Sequence, residues 1–192
     1  MADPARKRAT YADVLATPPN VIAEVIFGSL YTQPRPAGPH TRAASVLGMD
    51  LGGPFDRGRG GPGGWIILYE PELHFDDDVL VPDMAGWRRE RMAETPAAAF
   101  ITLAPDWVCE VLSPSTEAID RTEKMALYAR EGVGHAWLVQ PIVRTLEVYR
   151  RQGAAWLLVG VWRDGAMVRA EPFDAIELEL GALWVSGAMP GP

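Results

Sequence analysis

Cysteine occurs once, at Cys109, in a chain of 192 residues. That excludes an internal disulfide framework and a cysteine-rich zinc module. The three histidines stand at 40, 74 and 135, too scattered for a histidine-based zinc cage. No run of about 18 apolar residues exists, so no segment is suited to cross a membrane as a helix. The basic stretch Arg6-Lys7-Arg8 has no apolar run behind it, which argues against a secretory signal and leaves the cytoplasm as the expected location. Lysine is also scarce. Of the 18 basic residues, 16 are arginine, and the two lysines are Lys7 and Lys124. A lone lysine in the body of the chain offers a compact ammonium with a tunable pKa, which arginine cannot supply.

Positive charge is in deficit too, at a formal net charge of −7. That sign argues against a general nucleic-acid coat protein. The acidic excess gathers in residues 61–90, where two basic groups face seven acidic ones. Within it, Asp76-Asp77-Asp78 precedes an apolar run and reads as a solvated turn tip.

With 48% apolar and 22% charged residues, the chain has ordinary globular composition. Its length supports one core. We expect a flexible segment over residues 1–19, one domain over 20–186 and a tail over 187–192. A short helix is expected at 11–15, a strand or strand pair over 21–31 around Gly28, a loop at 33–39 and a helix over 40–51. The glycine-rich stretch 52–64 precedes a strand and lacks the Lys-Ser/Thr pair of a phosphate loop, so it reads as a flexible connection. Short apolar runs at 65–69, 73–75 and 79–81 predict an antiparallel meander. Residues 86–105 read as a long excursion and 107–112 as a strand. Asp120-Arg121-Thr122-Glu123 reads as a capping box opening a helix that Gly132 ends. Further strands are expected at 135–139, 145–150 and 155–161, with a last apolar segment to Val185. The pattern is α+β with a mostly antiparallel or mixed sheet.

Chemistry concentrates in Pro82-Asp83, in Trp107-Val108-Cys109-Glu110-Val111-Leu112, and at Lys124. Glu110 is a carboxylate inside an apolar strand, costly to bury unless paired or bound to a cation. Asp106 is four strand steps away, about 13 Å, too far to share an ion with it. If the run ending at Asp83 pairs with the strand of Glu110, the two carboxylates approach to about 5 Å. Carboxylates that close repel unless a cation lies between them, and magnesium suits such an oxygen site. Lys124 and Tyr128 share a helix face and can be brought back over the sheet. The same residues also fit a plain buried Asp–Lys–Glu ion cluster. Cys109 reads as inert packing.

Three strings resemble signatures of the Uma-type putative restriction endonucleases, a family of the PD-(D/E)XK nuclease superfamily. They are Val79-Leu80-Val81-Pro82-Asp83-Met84-Ala85-Gly86-Trp87, the stretch from Ala104 to Thr116, and Asp120-Arg121 followed by Lys124, Tyr128, Gly132-Val133 and Ala136-Trp137-Leu138-Val139. The resemblance spans roughly residues 20–185. It implies a restriction-endonuclease-like core, a central mixed β-sheet flanked by helices. It implies Asp83 and Glu110 as metal-binding acids, with the main-chain carbonyl of Val111 as a further ligand. Lys124 takes the place of the superfamily lysine, because the position two residues after the acid is Leu112. Glu24 and His40 match further family positions. Gln140 and Phe27 stand where the family often carries aspartate.

The expected function is a magnesium- or manganese-dependent endonuclease that hydrolyses DNA phosphodiester bonds, with Asp83, Glu110 and Lys124 as catalytic residues. Any sequence preference would come from the loops 33–39, 52–64 and 86–105. One alternative is a non-catalytic nuclease-fold scaffold that binds nucleic acid or protein. Another is a nuclease for RNA or structured DNA. Seven tryptophans leave room for an apolar interface and so for a homodimer, though the sequence does not fix the oligomeric state.

Overall fold

The computed structural model describes residues 8–34 and 38–185. Six strands form the central sheet in the order β10-β9-β8-β7-β6-β3. They are β3 (Trp65–Tyr69), β6 (Met84–Arg88), β7 (Trp107–Val111), β8 (His135–Gln140), β9 (Thr145–Gln152) and β10 (Ala155–Arg163). The β7–β8 pair is parallel and the other pairs are antiparallel, so the sheet is mixed. A second sheet has the order β2-β1-β5-β4, built from β1 (Val21–Ile26), β2 (Ser29–Pro34), β4 (Leu73–Phe75) and β5 (Asp78–Leu80). The expected α+β class with a central mixed sheet is what the chain forms.

Period-two alternation along β7 and β8 sorts two cores onto the two faces of the central sheet. Trp107, Cys109, Val111, Trp137 and Val139 point to one face. There they meet α2 (Gly38–Leu51) and the C-terminal segment. Phe173 fills the middle, 4.8 Å from the Trp65 ring and 4.9 Å from that of Trp107. Val108, Leu112, Ala136 and Leu138 point to the other face, against α4 (Met125–Arg130) and the second sheet. Glu110 falls on this second face by the same alternation. Five of the seven tryptophans are buried, at 65, 87, 107, 137 and 184. The aromatic surface that left room for a homodimer is thus largely spent on the cores.

Several local expectations need correction. The run 65–69, 73–75, 79–81 is not one meander, because β3 joins the central sheet while β4 and β5 form a hairpin of the other. Pro82-Asp83 is where the chain crosses between sheets. The partner of β7 is therefore not the run ending at Val81 but β6, which runs into the start of the region read as an excursion. Gly86, at the centre of β6, lowers strand propensity, yet a Cβ there would press on Trp107 at 3.2 Å and Trp65 at 3.3 Å.

Asp120 does not cap a helix. The turn at Ser113–Thr116 already starts one, with the Glu117 amide donating to the Ser113 carbonyl at 2.9 Å. Helix α3 (Glu117–Ile119) runs through a π-helical turn (Asp120–Lys124) into α4. Gly132, at φ +85°, ends it in the left-handed conformation expected of a helix stop.

Asp78 is not part of a solvated tip. It is 5% exposed, accepts from the Phe27 amide and pairs with Arg130 at 2.8 Å. Residues 1–7 of the expected flexible segment lie outside the described residues, as do 35–37 of the loop and the tail beyond 185. Residues 8–19 hold α1 (Tyr11–Leu15), and the Tyr11 ring sits edge-on to His74 at 4.5 Å.

Candidate active site

The β6–β7 register places the two acids. Met84 pairs with Cys109 in an antiparallel ladder, and carrying the register on by one pair sets Asp83 opposite Glu110. The Val111 amide donates to Asp83 Oδ2 at 2.7 Å, which locks the Asp83 carboxylate onto the end of β7. Asp83, Glu110 and Val111 line one cavity of about 210 Å³, closed on its other sides by His40, Ser113 and Asp120 among others.

His40, in the first turn of α2, approaches Asp83 Oδ1 with Nε2 at 3.1 Å. Its Nδ1 is buried with no hydrogen-bond partner among the described residues. The helix expected from position 40 thus does bring its histidine to the first acid.

Behind Glu110 lies a sealed charge cluster. Lys124, 1% exposed, places Nζ 2.8 Å from Glu110 Oε1 and 3.0 Å from Glu24 Oε1. Asp120 Oδ1 is 3.7 Å away, one helical turn back. Tyr128, one turn on, donates its hydroxyl to Glu110 Oε1. Glu24 in β1 also accepts the Val81 amide at 2.8 Å, which ties the second sheet to the chain entering Asp83. Lys124 is thus paired with Glu110, Glu24 and Asp120; Asp83 is not among its partners, and the Asp–Lys–Glu cluster takes its other acids from Glu24 and Asp120.

Burial pushes the Glu110 carboxyl well above the usual carboxylate range. The Lys124 ammonium pulls it back, while Asp120, Asp83 and Glu24 push it further up. Burial alone would lower Lys124, but Glu110, Glu24, Tyr128 and Asp120 outweigh it and hold the ammonium well above its ordinary value. Burial also raises Asp120, against the opposing pull of Lys124. Three carboxylates thus gather around one ammonium, with Asp83 beyond them also pushing Glu110 up, an excess of negative charge that a divalent cation would relieve.

Among the described residues, no three His, Cys, Asp or Glu side chains converge as a complete metal cage. The carboxylates on the cavity wall are those of Glu70, Asp83, Glu110 and Asp120. All are hard oxygen donors, the kind magnesium takes together with retained water. The residues present fit such an ion.

Asp120 was missed as a site residue because its capping role was the stronger local signal. Its spacing of four from Lys124, and of eight from Tyr128, marks a shared helix face and could have found it. Glu70 was missed as well. It lines the cavity beside Asp83, with its amide on the Asp83 carbonyl at 3.1 Å and φ at +43°. Cys109 is buried, and burial raises its thiol well above the usual value.

Residues 9–181 match the family described as Uma2: Putative restriction endonuclease. The chain belongs to this family. Its fold is also similar to the crystal structure of a putative nuclease belonging to DUF820 from Anabaena variabilis ATCC 29413, with a TM-score of 0.73. That likeness covers 91% of this chain and 97% of the other at 24% identity, and it speaks for the fold. Among curated proteins none matches the chain. No helix among the described residues is long and apolar enough to cross a membrane.

Proposed function

We propose that this Uma2 protein is a divalent-metal-dependent endonuclease that hydrolyses DNA phosphodiester bonds at the Asp83–Glu110 cavity. The observation that supports this reading most is the pairing of two acids across β6 and β7 at one cavity, with a buried lysine behind the second. Asp83, Glu110 and the Val111 carbonyl would hold magnesium or manganese. When bound, the ion polarises the scissile phosphate and lowers the pKa of a coordinated water.

The chain's own residues supply the rest. The Val111 amide and His40 fix the Asp83 carboxylate from two sides. Lys124 and Tyr128 hold the Glu110 carboxylate in place, and the ammonium favours its charged form against burial. Lys124 is shut behind Glu110, so we assign it to positioning: it favours the charged form of the acid and holds it toward the water that attacks phosphorus. Glu24 shares that ammonium and so fixes its position.

The experiment is incubation of the protein with magnesium or manganese and plasmid, single-stranded DNA or RNA, beside Asp83→Ala. Calorimetric titration of manganese into both proteins accompanies it. Cleavage and manganese binding by the wild type, both lost in Asp83→Ala, support the reading. Equal manganese binding by the two proteins overturns the metal site and leaves a nucleic-acid-binding scaffold. Cleavage of RNA alone would transfer the reading to a ribonuclease.

A further inference from the structure

The catalytic cavity does not end at Asp83. A second cavity of about 210 Å³ shares His40, Glu70 and Asp83 with it. A third, of about 480 Å³, shares Tyr69 with the second and ends at Arg57 and Arg59. The three lie in series along one face of α2, from His40 and Thr41 through Ala44, Ser45, Gly48 and Met49 to Gly52 just past its end. Twelve residues of helix at about 1.5 Å each make this track about 18 Å long. Its other wall is the end of β3, the free edge strand of the central sheet, including Ile67 and Tyr69.

The far end is built rather than loose. The stretch 52–64, expected as a flexible connection, folds back on itself through a π-helical turn (Gly52–Asp56). Phe55 anchors that turn in the core. Amides of Arg57, Arg59 and Gly63 donate to the carbonyls of Gly52, Gly53 and Pro54 at 3.1, 2.8 and 2.9 Å. Gly58 and Gly60, at φ +64° and +77°, let the chain turn on either side of Arg59. The loop is therefore a preformed mount for two guanidinium groups.

Both arginines are exposed, and neither makes an ion pair among the described residues. The carboxylate beside them on the same wall, Asp56, is already taken by Arg89 at 2.8 Å. In a chain of net charge −7, two uncompensated cations at the end of a track from the acid pair mark a place for anions. Tyr69 stands half exposed between the two ends. The charged groups on the second cavity's wall besides His40 are the carboxylates Glu70 and Asp83, which leaves the arginines as the guanidinium groups lining the track.

We propose that this track seats the nucleic-acid strand flanking the scissile bond, with Arg57 and Arg59 gripping its phosphates and Tyr69 lying against a base or sugar. The inference rests on the nuclease reading for the identity of the ligand, and it adds where that ligand lies. About 18 Å corresponds to roughly five base-pair steps at 3.4 Å each.

The test measures binding apart from cleavage. Fluorescein-labelled duplex DNA, single-stranded DNA and RNA are titrated by anisotropy in calcium, over a range of salt, with each probe checked for intactness on a gel. The double variant Arg57→Ala/Arg59→Ala is expected to bind at least about tenfold more weakly and to lose about 2 from the slope of log K against log salt. Arg57→Lys/Arg59→Lys should restore most of that slope. Arg151→Ala/Arg169→Ala removes the same charge away from the track and should leave the slope unchanged. Because Arg57 and Arg59 are exposed and unpaired, the thermal midpoint should not move. Equal loss in both alanine pairs, no loss in the first, or no binding by the wild type overturns the track. If arginine-dependent binding occurs without any metal-dependent cleavage, the nuclease reading falls and the track stands. If cleavage needs Asp83 but binding ignores the arginines, the track alone falls.

Discussion

Two ion clusters sit on the same helical segment, three residues apart, and behave in opposite ways. Arg121 meets Glu117 at 2.7 Å and Glu147 at 2.7 Å, and the Tyr149 hydroxyl donates to Glu147. The Arg121 side chain is 32% exposed, water reaches the network, and every acid has its donor. Hydrogen bonding from Arg121 holds the Glu147 carboxyl below its usual range. Around Lys124 the acids outnumber the ammonium, water is excluded, and burial drives Glu110 up. The first arrangement relaxes its charges and holds β9 to the helix. The second leaves a carboxylate under strain at the wall of a cavity. Groups pushed away from their resting protonation are candidates for chemistry, and this contrast, more than the number of charges, supports the proposal that the second cluster belongs to a site and the first is a clamp.

Breaking the pairs should expose the difference. Lys124→Met leaves Glu24, Glu110 and Asp120 buried without their cation, and a loss of about 3–5 kcal/mol is expected. At about 2–4 °C per kcal/mol for a chain of this size, a fall of roughly 10 °C in the thermal midpoint would register it. A loss under about 1 kcal/mol would show that the cluster is not sealed. Glu110→Gln keeps the shape and removes the charge. It should cost more than about 100-fold in metal-dependent cleavage, with manganese affinity falling in parallel by calorimetry and the midpoint held or raised.

Arg121→Ala should cost only about 1 kcal/mol at pH 7, because partial exposure screens the network. Its pH dependence sharpens the contrast. Glu147 has a depressed folded pKa, so its stabilising contribution is present above the ordinary carboxylate value and disappears as pH falls through the folded one. Urea unfolding should therefore find wild type and Arg121→Ala about 1 kcal/mol apart at pH 7, with the gap closing as pH falls below the ordinary carboxylate range. The smallest effect is on Cys109: buried and held as a thiol, it should resist a disulfide reagent in the native chain and react in full once unfolded.

Much of the fold was legible because local rules and tertiary demands agree. The strands at 107–112 and 135–139 are compact apolar runs between turn signals, and the helix over 40–51 carries its periodicity openly. What misled was competition between signals. Asp120 has the chemistry of a cap, but Ser113 and Thr116 start the helix earlier, so Asp120 turns inward to Lys124. Met84–Arg88 contains a glycine and follows an aspartate, which hides a strand whose glycine makes room for two tryptophans. Three aspartates in a row look like a solvated tip, yet Asp78 meets Arg130, 52 residues away in sequence. Partners that distant leave no periodic trace.

The sequence by itself determined which side chains could matter. A carboxylate inside an apolar strand is unusual wherever it lies, and so is one lysine among arginines, because burial and pKa follow from residue type. It could not determine who faces whom. Lys124 binds Glu24 rather than Asp83, and Arg57 and Arg59 line a cavity that Tyr69 separates from the one at Asp83, because sheet register and helix docking fix distances between residues far apart in the chain. Those distances, and the exclusion of water around them, arise only when the two cores close on either face of the central sheet.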